Sequence, residues 1–151
     1  MTVLDTHLLT ELVSRKFDCL VQLQELGRQQ FQLVDSGEVT QLMKVLSAKQ
    51  VLIGRLQEIE RELNPFRDQN PEERRWANPA ARARCAELIE RGQALFREIM
   101  MQEKRSETRL IERRDEVAVR LRTAHSASQA RGAYLSEPHR PQGHLDITSQ
   151  S

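Results

Sequence analysis

The chain has 151 residues, which fits one domain and leaves no room for a second core of useful size. Charged residues make up 30% of it and hydrophobic residues 38%, but aromatic residues only 4%, a mixture typical of long helices with narrow apolar stripes. The net charge of +1 gives the chain as a whole no electrostatic footprint for nucleic acid or anionic lipid. We therefore expect an all-α, coiled-coil-like protein.

The sequence carries no sign of secretion or of membrane insertion. Its first residues, MTVLDTHLLTELV, include acids early and lack the basic start and unbroken apolar run of a signal peptide. No stretch approaches the roughly 20 apolar residues that a membrane span requires. The two cysteines, Cys19 and Cys85, lie inside helical patterns far apart in sequence. Two cysteines are enough for one disulfide, but we expect buried, reduced thiols in a cytoplasmic protein.

The first predicted helix runs from about residue 5 to about residue 34. Asp5 or Thr6 can cap its beginning. Gly37 follows and supplies the left-handed backbone that ends a helix, so we predict a chain reversal into a helical hairpin. One long helix kinked at Gly37 is the alternative. The apolar residues recur at helical spacing: Leu9, Leu12, Val13, Phe17, Leu20, Leu23, Leu26, Phe31 and Val34.

The second predicted helix, about residues 38–63, has the most regular pattern in the chain. Its apolar spacings alternate between three and four residues, as in a coiled-coil seam. Lys49 and Glu60 interrupt this seam, and polar residues at such positions can fix the register of a bundle at a cost in stability. The predicted seam consists of Val39, Leu42, Leu46, Lys49, Ile53, Leu56, Glu60 and Leu63, and it is widened by Met43, Val45, Leu52 and Ile59.

A connection rich in proline and asparagine, residues 64–79, separates the second helix from the third. Asn70 followed by Pro71 predicts a short helical turn, with asparagine as its cap and proline in its first position. Asn78 and Pro79 predict the start of the third helix in the same way. Trp76 is interpreted as an anchor that ties the connection to the helices; a tryptophan in a binding site is the alternative.

The third predicted helix runs from about residue 79 to about residue 131. Its first apolar residues are Leu88, Leu95, Ile99 and Met100, with Phe96 beside them, and the pattern resumes at Leu110, Val117, Leu121 and Ala124. Between Gln102 and Arg109 the stripe thins to polar and charged residues. We expect the first half of this helix to pack on the hairpin, whereas the second half has too few large apolar residues for a core.

The predicted fold is therefore an antiparallel helical hairpin plus a long third helix, in a coiled-coil-like bundle. Residues 1–131 form a single helical domain in this interpretation, and residues 132–151 form a flexible tail rich in proline, glycine and serine. The tail contains two short apolar points, Tyr134-Leu135 and the LDITS segment at 145–149. Such points serve either as linear recognition motifs or as parts of an unstructured end.

No pattern in the sequence indicates catalysis, a cofactor or a bound metal. The four histidines, His7, His125, His139 and His144, have no partner at a metal-ligand spacing on one helical face. Phosphate-binding glycine loops and nucleophile motifs do not occur. The many carboxylates alternate with Lys and Arg along helices, as in solvated faces with local ion pairing. We therefore expect a protein that is not an enzyme.

Nucleic-acid binding is also disfavoured. Residues 101–131 contain eight Lys and Arg residues against five acids, and the acids interleave with the bases. Helices that bind phosphate backbones usually show a less diluted basic stripe. We expect no nucleic-acid partner.

The order of these features resembles the FlgN-type flagellar export chaperones. The stretch VTQLMKVLSAKQVLIGRLQEIERELNPF is similar to the characteristic second helix of that family, with Lys49, the run Leu52-Ile53-x-x-Leu56 and a closing Glu60-Arg61. A hairpin, an irregular link, a long third helix and a C-terminal aromatic, here Tyr134, complete the likeness over residues 5–135. The connection with Trp76 and the LDITS segment are not part of the family pattern.

The resemblance implies a cytoplasmic chaperone that keeps flagellar hook–filament junction proteins from assembling early and delivers them to the type III export gate. An apolar helix stripe would take an amphipathic client segment. Leu110, Val117 and Leu121 are then predicted to face the client, or to pair in a homodimer, unless they complete an intramolecular bundle. By the same resemblance, Tyr134 contacts the export gate. The alternative function is a structural coiled-coil scaffold or adaptor that self-associates and has no secreted client.

Overall fold

The computed structural model describes residues 5–136, and α-helices make up most of this range. The helices are α1 (Thr6–Ser36), α2 (Val39–Arg67) and α3 (Pro79–Ser136), with a short 3-10 helix at Pro71–Glu73 between the last two. Within the described range there is no strand, so the predicted all-α class is confirmed. The chain divides into two compact units, Met1–Leu110 and Ile111–Ser151, and α3 contributes residues to both.

Helices α1 and α2 form the predicted hairpin. The backbone turns at Gly37, whose φ of 76° lies in the left-handed region that only glycine adopts without strain. The N–H groups of Gly37 and Glu38 both donate to the Leu33 carbonyl, which satisfies an acceptor left open at the helix end. Lys16 then pairs with Glu60, and Gln30 with Lys49, so α2 runs antiparallel to α1.

Helix α2 ends four residues later than predicted, at Arg67 in place of Leu63. Pro65 lies inside this last turn, although proline has no N–H to donate and clashes with the preceding turn. The additional turn buries Phe66 in the core with only 3% of its surface exposed. Burying an aromatic side chain of this size is worth about 2–3 kcal/mol, which offsets the single hydrogen bond lost at Pro65.

The connection to α3 follows its local sequence signals. Asn70 accepts a hydrogen bond from the Glu72 N–H at 3.1 Å, and Asn78 accepts one from the Ala81 N–H at 2.8 Å, so both predicted asparagine caps are confirmed. Thr6 donates to the Arg75 carbonyl, which places the connection beside the start of α1. Trp76 packs partly buried against the core, as expected for an anchor.

Helix α3 runs parallel to α1 with a constant offset in sequence. Gln24 donates to Glu98 and Arg109 to Asp35, and both pairs are separated by 74 residues. Arg91 lies over the ring of Phe17, a pair with the same separation, at 4.8 Å from the ring centre. Because the offset is the same at Phe17, Gln24 and Asp35, the two helices remain in register over this part of α1.

The three helices of the first unit share one apolar core. Cys19 and Cys85 are buried in it as free thiols, as predicted. Helix α3 contributes at spacings of three and four residues, the pattern of a helix that packs along a seam. The buried core residues are Leu9, Leu12, Val13, Cys19, Leu20, Leu23, Leu52, Ile59, Leu63, Phe66, Cys85, Leu95 and Ile99.

The buried face of α2 is rotated from the predicted seam. Val39, the first predicted seam residue, is 67% exposed, and the seam positions Leu42, Leu46, Ile53 and Leu56 are only partly buried. A helix that contacts two neighbours buries a face wider than a two-residue seam, and its centre lies between the neighbours. Three residues predicted only to widen the seam, Val45, Leu52 and Ile59, are buried there. The rest of the buried set is the seam residues Lys49 and Leu63 together with Phe66.

Lys49 forms a polar layer that joins all three helices. Its side chain is buried, with 7% of the residue exposed, and its ammonium donates to the Gln30 amide oxygen of α1 at 2.6 Å and to the Glu103 carboxylate of α3. Burial lowers the pKa of the Lys49 ammonium from its ordinary value, because the charged form loses hydration. The ion pair with Glu103 keeps this charge compensated inside the bundle.

A second polar contact follows at Gly27 of α1. The Gln102 amide of α3 lies directly against Gly27 and donates to the Gln24 carbonyl at 3.0 Å. A Cβ atom at position 27 would collide with the end of the Gln102 side chain. Ser106, the next residue of the α3 seam, is also buried. The face of α3 becomes polar after Ile99, but it remains packed against the hairpin as far as Ser106.

We predict that Glu103→Gln lowers the free energy of unfolding by about 1–2 kcal/mol, because it leaves the buried Lys49 ammonium without its anion. The loss is smaller than for a fully buried pair because Glu103 is partly exposed. Urea denaturation followed by circular dichroism measures it. The exposed Glu107→Gln is the matched control and should have no effect. Adding Lys49→Met to Glu103→Gln should restore part of the loss; equal stability of Glu103→Gln and the wild type would contradict the prediction.

We also predict that the effect of Gly27→Ala changes sign with the residue at position 102. In the wild type it displaces the Gln102 side chain and lowers the free energy of unfolding by about 1 kcal/mol. In a Gln102→Ala background there is room for the methyl group, and alanine stabilises the helix by about 0.5–1 kcal/mol over glycine. A double-mutant cycle by thermal or urea unfolding measures both effects. The same sign in both backgrounds would exclude the Gly27–Gln102 contact.

Candidate protein-binding surfaces

The described part of the second unit is the C-terminal portion of α3, from Ile111 to Ser136. The helix continues past its predicted end at Arg131, so Gly132 does not terminate it and residues 132–136 of the predicted tail are helical. A glycine inside a helix lowers helix stability by only about 1 kcal/mol relative to alanine. The neighbouring residues Ala130 and Ala133 are strong helix formers, so the helix continues through Gly132. The remainder of the predicted tail, residues 137–151 with the LDITS segment, lies outside the described residues.

Every large apolar side chain from Ile111 to Leu135 is exposed. The exposed fractions range from 43% for Ile111 to 73% for Tyr134. In the first unit, by contrast, many leucine, isoleucine and valine side chains are buried in the core, although others, such as Val39 and Val51, are exposed there too. The exposed residues are Ile111, Val117, Val119, Leu121, Tyr134 and Leu135.

Two of the predicted site residues, Val117 and Leu121, share one face of this helix. They are four residues apart, and side chains at that spacing are neighbours on a helix surface. Leu135 follows Leu121 after two further heptads and joins the same face, because the helix extends far enough to include it. We call Val117, Leu121 and Leu135 the distal stripe. Sequence reasoning missed Leu135 because it was assigned to the tail, although its heptad spacing from Leu121 was visible.

The other two predicted site residues are not members of the distal stripe. Leu110 is the last residue of the first unit and is half-exposed. Tyr134 is the most exposed large apolar residue described, but at 100° per residue it lies on a different side of the helix from Leu121. Val119 also points away from the stripe, since residues two apart do not face the same way.

A second surface is an open groove between the three helices in the first unit, which we call the three-helix groove. It encloses about 690 Å³, within the range of known ligand sites. Phe17 of α1, Leu56 of α2 and Phe96 of α3 are apolar members of its wall. On α3, Ile89, Gln93 and Phe96 each follow a residue of the buried stripe by one position, and Ile89 and Phe96 are 39% and 47% exposed.

The groove has a charged edge centred on Glu60. The Glu60 carboxylate accepts hydrogen bonds from Lys16 at 2.7 Å and from Arg67. Burial acts to raise the pKa of Glu60, but the hydrogen bonds and charges of Lys16 and Arg67 outweigh it, so the pKa is lowered from its ordinary value. Glu60 therefore remains ionised and holds two cations at the opening of the groove.

The described residues give no indication of metal chemistry or of a membrane span. Among residues 5–136, no three His, Cys, Asp or Glu side chains are grouped so that they could hold a metal ion. None of the helices in this range combines the length and the apolar composition needed to cross a bilayer. The surfaces that stand out in this part of the chain are the distal stripe and the three-helix groove.

Comparisons with known proteins return no relatives. No protein-family profile, no curated protein and no solved structure matches this chain.

The groove could not be found from the sequence, because its wall depends on how three helices are placed against one another. Phe17 was assigned to the apolar stripe of the first helix, and Phe96 was placed beside the stripe of the third. Phe96 carried a signal: it is one position away from Leu95, so a helix that buries Leu95 must leave Phe96 at the edge of its buried face.

We predict that Glu60→Gln removes a stabilising contribution that depends on pH. Because the folded-state pKa of Glu60 is below its ordinary value of 4.5, the ionised form stabilises the fold above that value, and this contribution is lost as pH falls through the folded-state pKa. The difference in free energy of unfolding between wild type and Glu60→Gln should be constant from pH 6 to 7, at about 0.5–1 kcal/mol, and should vanish at acid pH. A difference independent of pH would contradict this assignment.

Proposed function

We propose that this protein acts by holding an amphipathic segment of a partner protein on the distal stripe, as a cytoplasmic export chaperone of the FlgN type. The observation that carries the proposal is the exposure of every large apolar side chain from Ile111 to Leu135 on a regular helix. A helix whose apolar stripe is covered by no element of residues 5–136 presents a surface on which a second amphipathic helix can pack.

The spacing of the distal stripe fits such a partner. Val117 and Leu121 are four residues apart and Leu135 lies two heptads beyond Leu121, so all three fall on one seam where knobs-into-holes packing with another helix is possible. A client segment that is disordered alone would fold on this template and bury its own apolar face at the same time. The partner is thereby kept from assembling while it is bound, which is the physical task of an export chaperone.

The identity of the client and of the export machinery rests on the resemblance in the second helix. Its Lys49 is the buried residue of the polar layer, and Glu60 and Arg61 close the same stretch. By that resemblance the clients are flagellar hook–filament junction proteins, delivered to the type III export gate. Tyr134 is then the contact for the gate, since its exposed ring lies on a different side of the helix from Leu121.

A second candidate function is a scaffold that self-associates through the distal stripe. The same heptad spacing that suits a client helix also suits a second copy of α3. The two functions differ in a measurable way, because a scaffold is oligomeric without any client.

The proposal is tested with the double variant Val117→Asp/Leu121→Asp in a pull-down and a titration with purified hook–filament junction proteins. We expect at least about a tenfold loss of affinity, because burying one leucine alone is worth about 1.5–3 kcal/mol. Both residues are exposed, so circular dichroism and the unfolding midpoint of the hairpin should stay close to the wild type.

Val119→Asp is the matched control, since it makes the same substitution on the opposite side of the same helix and should preserve binding. Client proteins that ignore the wild-type chain, or that bind the double variant as tightly, would overturn the proposal. Light scattering after gel filtration separates the second candidate: a stable oligomer that Val117→Asp/Leu121→Asp dissociates, without client binding, identifies a scaffold.

A further inference from the structure

We propose that the three-helix groove is a second binding site, which takes an amphipathic helical segment of a protein with acidic residues flanking its apolar face. This site belongs to the first unit and uses none of the residues of the distal stripe. The segment that binds the groove therefore differs from a client of the distal stripe, because the groove selects acidic flanks in addition to apolar spacing.

The interior of the groove is an extension of the apolar core. Residues of its floor, among them Leu9, Val13, Leu63 and Phe66, are buried core residues, while Ile89 and Phe96 stand open at its edge. A volume of about 690 Å³ accommodates several large side chains at once. A helix that inserts anchors at intervals of three, four and seven residues supplies such a set along one line.

The groove stays open because α3 places small or polar residues along one part of its wall. Gly92 contributes no side chain, and a Cβ atom there would meet Leu20 at 3.9 Å, an ordinary van der Waals distance. An alanine would therefore fit at this position, so close packing does not require the glycine. Gln93, the next residue, is exposed and leaves the apolar wall unfilled.

The charges on the groove favour an acidic partner. Four cations line it, Lys16, Arg67, Arg74 and Arg97, against the single carboxylate of Glu60. That carboxylate already accepts from Lys16 and Arg67. Among the described hydrogen bonds and ion pairs, none engages the exposed guanidinium of Arg97. A net positive groove in a chain whose total charge is +1 attracts carboxylates and repels a basic helix.

The arrangement suits a protein helix better than a nucleic acid. Phosphate backbones are bound by continuous basic stripes, whereas these cations surround an apolar interior. A carboxylate that flanks an inserted apolar face can pair with Arg97 while leucine or phenylalanine anchors contact Phe17 and Phe96. The Arg74 guanidinium, which already donates to oxygens of the protein, adds only its charge. Each exposed charge pair adds little affinity, so the charges select the partner and the anchors hold it.

The test uses the full chain and three labelled probes in fluorescence anisotropy. The first is a synthetic peptide of about 15 residues with Leu and Phe at the i, i+3, i+4 and i+7 positions and Glu at its flanks. The second carries Lys in place of every Glu, and the third is a single-stranded oligonucleotide. We expect the Glu peptide to bind at least about tenfold more tightly than the Lys peptide, and its affinity to fall as salt is raised.

Two pairs of variants locate the site. Phe96→Ala should weaken the Glu peptide about fivefold or more, and Met101→Ala, an exposed residue of α3 outside the groove, should not. Arg97→Glu should remove the preference for the Glu peptide, whereas Arg84→Glu, the same change outside the groove, should retain it. Circular dichroism checks that each variant is folded.

The inference is overturned if neither peptide binds, if both bind equally, or if the oligonucleotide binds in an Arg97-dependent way. It is also overturned if the Val117→Asp/Leu121→Asp variant loses the Glu peptide while Phe96→Ala retains it, since the peptide would then occupy the distal stripe. Loss of junction-protein binding in that double variant with the Glu peptide retained would support two separate sites. The two proposals can therefore fail independently.

Discussion

The buried ammonium of Lys49 constrains the arrangement of all three helices. It is best accommodated where Gln30 of α1 and Glu103 of α3 both reach it, because an uncompensated charge inside the bundle would destabilise the fold. A shift of α2 by one residue would move the ammonium away from both partners. The apolar contacts of the core would tolerate several alignments of three leucine-rich helices, and the polar layer selects one of them.

The two surfaces have different physical origins within the same helix. Along the first unit, α3 keeps its apolar seam buried up to Ile99 and then packs polar residues, Gln102 and Ser106, against the hairpin. The three-helix groove lies beside that seam, where Gly92 and Gln93 leave the wall unfilled. The distal stripe has apolar residues of the kind that form a core, but no described element covers them.

Local signals in the sequence predicted the starts of α1 and α3, the hairpin and the short turn, because capping depends on a few neighbouring residues. Asp5, Gly37, Asn70 and Asn78 all act as expected. The end of α2 and the centre of its buried face were predicted wrongly, because both depend on distant contacts. Phe66 extends α2 past Pro65 because of the core it enters, and the centre of the α2 face follows from having two neighbours. The groove is lined by residues of three helices that are far apart in sequence, so no local sequence pattern predicts it.

The parallel alignment of α1 and α3 has a consequence for how the chain can change in length. Because α2 returns the chain to the start of α1, α3 begins beside that start and meets the residues of α1 in order. A residue of α1 and the residue of α3 beside it are 74 positions apart at Phe17, Gln24 and Asp35 alike. An insertion in α1 would therefore displace the contacts that follow it, unless α2 and α3 gained the same number of residues at the same level of the bundle. Lengthening this bundle is thus a change that all three helices must share.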